Sequence, residues 1–258
     1  MNPIKPASKR APRFEAPKRA SPRAAFTLIE LLVIVSLLGL LVVIQWPALA
    51  KATHQTTRAQ CAANLRQVTM AFHIYATENI GKLPSGTVGF WAWDIPWDFA
   101  TTLGKYGAPR NTLYCPANPG QNLDPLWNYV ANNYRVIDYA LTLVGGGSIS
   151  SSNQNATLTP QSIPFGPGIY PPPLASQRVL LADATLSQPG QDNEAIRNSY
   201  NYTSIQGGFP PPLRSSHVDR FLPVGGNLAM VDGHVEWRVF SQMHVRTPTG
   251  SGTPVFWW

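Results

Sequence analysis

From Phe26 to Trp46 the chain is apolar at almost every position, "FTLIELLVIVSLLGLLVVIQW", and from Leu31 onward only Ser36 and Gln45 are clearly polar. As an α-helix this run would be about 30 Å long, the thickness of a bilayer core, and it predicts a transmembrane helix over about 26–46. It is longer than the ~7–15 apolar residues of a secretory signal peptide, and no A-x-A site follows it cleanly. Pro47 lacks an amide donor and predicts a kink near 47. Beyond it the pattern becomes amphipathic. Ala62, Leu65, Val68 or Thr69, Phe72 and Tyr75 or Ala76 recur at spacings of three and four, while Arg58, Gln60, Arg66 and Gln67 fall mostly elsewhere. Gly81 and Pro84 supply a stop, so one long helix is predicted over 26–80. His54 and His73 lie on it without a second ligand at i+4, and are read as solvated or packed.

The pattern from 81 to 258 is turn-rich, with short β-prone runs: "NTLYC", "RVLLADA" and "GNLAMVDGHVEWRVF". The last predicts a hairpin, with strands Leu228–Val231 and His234–Phe240 joined by a two-residue Asp232-Gly233 turn. Gly145 to Pro173 holds few apolar residues and predicts a flexible insertion. The fold class expected is α+β: a long N-terminal helix, transmembrane then amphipathic, packed on a C-terminal antiparallel β-sheet domain over 81–258.

Charge alters the picture by where it lies. Residues 1–25 hold seven of the 20 Lys and Arg and one of the 13 acidic residues, so the remainder carries 13 against 12, a net of +1. The basicity belongs to a leader rather than to a folded face, and no nucleic-acid partner is expected. Basic residues before the apolar run place the N-terminus in the cytoplasm and the rest outside. Glu30 is then the anomaly. A carboxylate at membrane depth costs roughly 2.5–3.5 kcal/mol and seeks a cation. Cleavage between Ala25 and Phe26 would create an α-ammonium four residues before it, on the same helical face. The alternative is solvation at headgroup depth.

"FTLIELL", the apolar run and Pro47 together resemble the N-terminal signature of type IV pilins and of the pseudopilins of type II secretion systems. The resemblance implies cleavage after Ala25 by a prepilin peptidase, N-methylation of Phe26, and polymerisation through the helix, with Glu30 recognising the terminal amine of an adjacent subunit. The expected partners are that peptidase, other subunits and the inner-membrane assembly platform. The expected location is the inner membrane, with a periplasmic C-terminal domain. The family usually has Gly where this chain has Ala25, and the leader is long for it.

A second resemblance rests on "CAANLRQVTMAFHIYATENIGKLP", "LYCPAN", "DYALT", "RVLLADA" and "GGNLAMVDGHVEWR". Together they are similar to the large prepilin-like proteins of planctomycete and verrucomicrobial bacteria that carry an H-x9-D-G domain. His217 would be the motif histidine and Asp232-Gly233 its end. Fourteen residues separate them here instead of nine, and a turn-forming, hydrogen-bonding role is expected.

Cys61 and Cys115 are the only cysteines. An oxidising compartment permits a bridge between them, worth ~4 kcal/mol by loop closure. Trp91, Trp93 and Trp97 with Asp94 and Asp98, and the terminal "PVFWW", suggest core filling or a subunit contact, with a sugar-stacking platform as the alternative. No cofactor and no metal site are expected. A calcium ion would draw on Asp94, Asp98, Asp124 and Asp232, but no EF-hand spacing supports one. There is no Gly-rich phosphate loop, HExxH, CxxC or nucleophile elbow, and no catalytic residue is assigned. A hydrolase would need His217, Asp219 or Asp232 to converge in a cleft. The function expected is that of a structural subunit in a pseudopilus or pilus-like fibre. The alternative is a membrane-anchored carbohydrate-binding module using the Trp-rich loops.

Overall fold

The computed structural model describes residues 26–84, 91–129, 134–145, 148–160, 163–165, 168–170, 172–206 and 212–258, with the backbone alone given for 44–51, 163–165 and 168–170. The chain divides into two units, Met1–Ala48 and Leu49–Trp258. Ala25 and the leader fall outside the described residues.

One helix runs over Leu28–Glu78. Thr27 caps it: the Thr27 hydroxyl oxygen accepts from the Glu30 amide at 3.2 Å, and the Glu30 carboxylate accepts from the Thr27 amide at 2.8 Å and hydroxyl at 2.7 Å. This reciprocal pair is a capping box, which satisfies donors that a helix start leaves unpaired. The helical backbone continues through Pro47. The helix closes on a Schellman-type turn, with the Gly81 amide bonded to the Ala76 carbonyl at 2.7 Å and Ile80 in the left-handed region at φ 58°.

The transmembrane expectation is overturned: among the described residues, no helix is long and apolar enough to cross a membrane. Further along, Thr53, His54, Gln55, Thr56, Thr57 and Arg58 make the same helix polar.

The β structure also departs from a single sheet under the helix. It is a set of small antiparallel sheets, and the fold is α+β. A four-stranded sheet runs in the order Val235–Val239, Gly225–Met230, Val179–Asp183, Tyr139–Leu141. Among the described residues there are also four two-stranded pairs, including Asp94–Pro96 with Tyr134–Val136 and Leu186–Ser187 with Val255–Phe256. Short strands cut by Pro and Gly cannot extend into one wide sheet. The last hairpin forms, but through a wider turn. Gly233 alone is left-handed at φ 93°, and its amide bonds to the Met230 carbonyl at 2.9 Å. Asp232 does not take the positive φ that a two-residue type I′ turn requires. In the first strand of this hairpin Gly225 is obligatory, since a Cβ there would sit 2.3 Å from the Arg238 carbonyl oxygen.

On the helix, Leu65, Val68, Thr69, Ala71, Phe72 and Ala76 are buried, and the Phe72 ring meets Phe99 edge-on at 5.2 Å. The short helix Trp97–Lys105 buries Phe99, Ala100 and Leu103 against the same core. "NTLYC" is not a strand but enters a 3-10 turn over Arg110–Leu113, which brings Tyr114 and Cys115 inward. Part of the expected insertion is packed rather than free. Ser148, Ile149 and Asn155 are buried, and the Asn155 amide nitrogen donates to the Thr142 hydroxyl at 2.7 Å and the Val179 carbonyl at 2.8 Å.

Candidate functional site

Four segments meet beneath the helix. Cys61 comes from its inward face, Cys115 from the loop after Arg110–Leu113, Asp183 from the end of strand Val179–Asp183, and His217 from the loop before Val218–Asp219. Their ligating atoms all lie within 4.8 Å of one another, and all four residues are buried. The Cys61 thiol donates to Asp183 Oδ1 at 2.7 Å and lies 3.6 Å from the Tyr139 hydroxyl. His217 Nε2 stands 3.3 Å from Cys115 Sγ and 3.1 Å from Asp183 Oδ2.

The surroundings fix these groups. Asp183 Oδ2 also accepts from the Asn227 amide at 2.6 Å and its side-chain nitrogen at 3.0 Å. Asp138, fully buried, accepts from the Cys115 amide at 3.1 Å and from Asn118 Nδ2 at 2.9 Å. His217 has a φ of 51°, a conformation that costs energy for a residue with a Cβ and marks a position held by its surroundings. Its ring meets Trp237 edge-on at 5.2 Å.

Burial pushes the Cys61 thiol well above its ordinary value, and the neighbouring Cys115 and Asp183 add to this. Burial acts the same way on Cys115, but hydrogen bonds from Cys61 and His217 outweigh it and its thiol is lowered. Burial works against the His217 imidazolium, yet the bonds to Asp183 and Cys115 hold it at about 10. Asp138 and Tyr139 are both raised well above their ordinary range, chiefly by burial.

A cysteine beside a histidine invites a nucleophile–base reading. Two facts oppose it. Both contacts of His217 are made by the same nitrogen, whereas a triad uses one ring nitrogen for the nucleophile and the other for the carboxylate. Cys115 is also only 1% exposed, so no substrate reaches its sulfur. The donor set itself, two sulfurs, a nitrogen and an oxygen, is of the kind that holds zinc or a similar divalent ion.

One cavity of about 390 Å³ borders the cluster, lined by His54, Gln55, Arg58, His217, Asp219, Val224 and Trp237. The Arg58 guanidinium lies 4.1 Å from the centre of the Trp237 ring. His217 and Asp219 thus do share a cavity, while Asp232 is engaged elsewhere, accepting from its neighbour His234 at 2.6 Å and 3.1 Å. The H-x-D-G residues His217, Asp232 and Gly233 therefore divide between a buried cluster and a hairpin turn.

The remaining predicted residues scatter. Cys61 and Cys115 meet, but as free thiols rather than a disulfide, each committed to a polar partner. The aspartates considered for calcium are not gathered. Asp94 accepts from the Trp91 amide, Asp124 pairs with Arg110 at 2.6 Å, and Asp98 is exposed. Trp93, Trp257 and Trp258 are core residues, and Trp97 lies under the Arg135 guanidinium, so these rings offer no open platform. Phe26 is 68% exposed, and Glu30 closes the capping box with Thr27. Asp183 and the pairing of the thiols with His217 were missed from sequence. Cys61, Cys115 and Asp183 lie inside segments that carry the second resemblance and His217 is its motif histidine, but nothing in their spacing joins the four. No family model matches the chain, and neither a curated protein nor a solved structure matches it.

Proposed function

We propose that the chain is a structural subunit of a pilus-like or pseudopilus fibre, assembled through the first turns of its long helix after cleavage between Ala25 and Phe26. The observation that carries this reading is the bareness of that helix. Leu28, Ile29, Leu31, Leu32, Val33, Ile34 and Val35 are all exposed, so apolar side chains cover every face rather than one stripe. A helix that is hydrophobic all round is stable when something covers it on all sides. Other copies of the same segment, laid side by side, supply that cover.

Glu30 gives the test its edge. Its carboxylate is held below the ordinary range by the Thr27 amide and then the Thr27 hydroxyl, and so is charged and aligned at the helix start. Glu30→Gln keeps a side chain able to complete the capping box but removes the charge; Glu30→Ala removes both. Full-length chain, cleaved before Phe26 as checked by N-terminal sequencing, would be followed by electron microscopy and sedimentation. Wild type is expected to form fibres, and both variants to fail. Fibre formation by Glu30→Gln at the wild-type level would reduce Glu30 to a cap. A cleaved wild type that stays monomeric would end the fibre reading.

A further inference from the structure

We infer that Cys61, Cys115, Asp183 and His217 are the four ligands of a closed zinc site that fastens the long helix to the central sheet. The inference stands apart from the fibre reading, because all four residues belong to the unit Leu49–Trp258.

The first argument is a shortage of protons. His217 Nε2 faces Cys115 Sγ at 3.3 Å and Asp183 Oδ2 at 3.1 Å, and one N–H cannot serve both well. Around it are two buried sulfurs and a buried carboxylate, all of them groups that can become anionic. Acceptors crowding on one another in a buried space is what a cation's ligands look like without the cation.

The second is the fit. Zinc bonds of about 2.3 Å to sulfur and 2.0 Å to nitrogen put tetrahedral ligands roughly 3.3–3.8 Å apart. The separations of 2.7 Å from Cys61 Sγ to Asp183 Oδ1 and 3.3 Å from Cys115 Sγ to His217 Nε2, with all four ligating atoms within 4.8 Å of one another, bracket the edges of such a tetrahedron. Calcium and magnesium, which take oxygen ligands, do not suit a set with two sulfurs.

The third is the outer layer. Asp183 would ligate through Oδ1, which now accepts from Cys61, while Asn227 continues to hold Oδ2 with two donors. Asp138 fixes the backbone of Cys115. Such outer contacts orient ligands in metal sites and are out of proportion for an ordinary apolar core. His217, held at a positive φ, also lines the 390 Å³ cavity, which provides the ion with a route in.

On binding, Cys61 and Cys115 coordinate as thiolates and His217 as neutral imidazole through Nε2, and the displaced protons pass to solvent. With the Asp183 carboxylate, the Zn²⁺ complex carries a net charge of −1. All four positions are filled by protein, so the site is structural and holds no open place for substrate.

The test uses the full-length chain, purified with reductant, assayed for zinc as isolated, then stripped with chelator and titrated with Co²⁺ alone. One Co²⁺ per chain is expected, with the thiolate-to-cobalt charge-transfer absorption and intense visible bands of a tetrahedral site, displaced by equimolar Zn²⁺. Asn227→Ala, which touches no metal, is expected to weaken Co²⁺ binding ~10–100-fold. Cys115→Ser should also cut the charge-transfer intensity, with circular dichroism confirming that each variant folds. A cobalt spectrum without charge transfer would overturn the site. So would a chain isolated without zinc and with Cys61 bridged to Cys115, or Co²⁺ affinity unchanged in both variants.

Discussion

The sulfur of Cys61 donates a hydrogen bond of 2.7 Å to Oδ1 of Asp183, joining residues 122 positions apart. The helix and the central sheet are thereby linked by a polar contact inside an apolar core. In reduced, metal-free protein, Cys61→Ala leaves a buried carboxylate oxygen short of a donor. The expected loss is about 1–3 kcal/mol in urea unfolding. An unchanged midpoint and slope would show that the contact contributes nothing.

Asp94 gives stability a dependence on pH. Burial pushes its carboxyl up to about 7 from an ordinary 3.8, against the hydrogen bond from the Trp91 amide. Between about pH 4 and pH 7 the folded chain keeps a proton there that the unfolded chain has lost, so this contribution falls as pH rises through that window. Asp94→Asn retains an acceptor for Trp91 without a charge. It is expected to match wild type near pH 4 and exceed it near pH 8, as read from unfolding midpoints. Curves that stay parallel across the range would refute the assignment.

Arg135 lies between two indoles, its guanidinium carbon 3.6 Å from the Trp97 ring centre and 4.1 Å from that of Trp127. Its Nη1 also donates to the Trp127 carbonyl at 2.7 Å and to Asn128 Oδ1 at 3.2 Å. Arg135→Ala should cost about 2–4 kcal/mol by combined loss of cation–π contact and hydrogen bonds. Arg135→Lys should recover only part of it, since a compact ammonium cannot lie flat between two rings. Complete recovery by lysine would assign the effect to charge alone.

Ile80 occupies the left-handed position after the long helix, at φ 58°, and is 92% exposed. A β-branched side chain gains nothing there from packing and meets its own backbone. Ile80→Gly is expected to stabilise by about 1 kcal/mol, seen as a higher melting temperature. A lower one would mean that flexibility in the unfolded chain outweighs the relief of strain.

What could be read in the sequence was local. Spacings of three and four put Leu65, Val68, Phe72 and Ala76 on one face, and those are the residues the helix buries. "RVLLADA" forms its strand over Val179–Asp183 for the same reason, a short periodic signal bounded by breakers. The cap at the helix start was also written there, as T-x-x-E in Thr27 to Glu30. The cluster was not legible. Cys61, Cys115, Asp183 and His217 lie on separate elements with no metal-type spacing, and only tertiary packing brings their atoms together. The tryptophans were read chiefly as core filling or a subunit contact, and Trp93 is buried with an edge contact to Phe256 at 5.5 Å.

The side chain of Asn227 reaches the backbone of Arg58, 169 positions earlier, as well as Asp183. Closing so wide a loop comes before most of the reward, which makes high-separation pairing slow compared with folding driven by neighbours. The helix therefore waits for its floor. Contacts of this separation are expected to form late, and the apolar surface they cover is open to aggregation until they do.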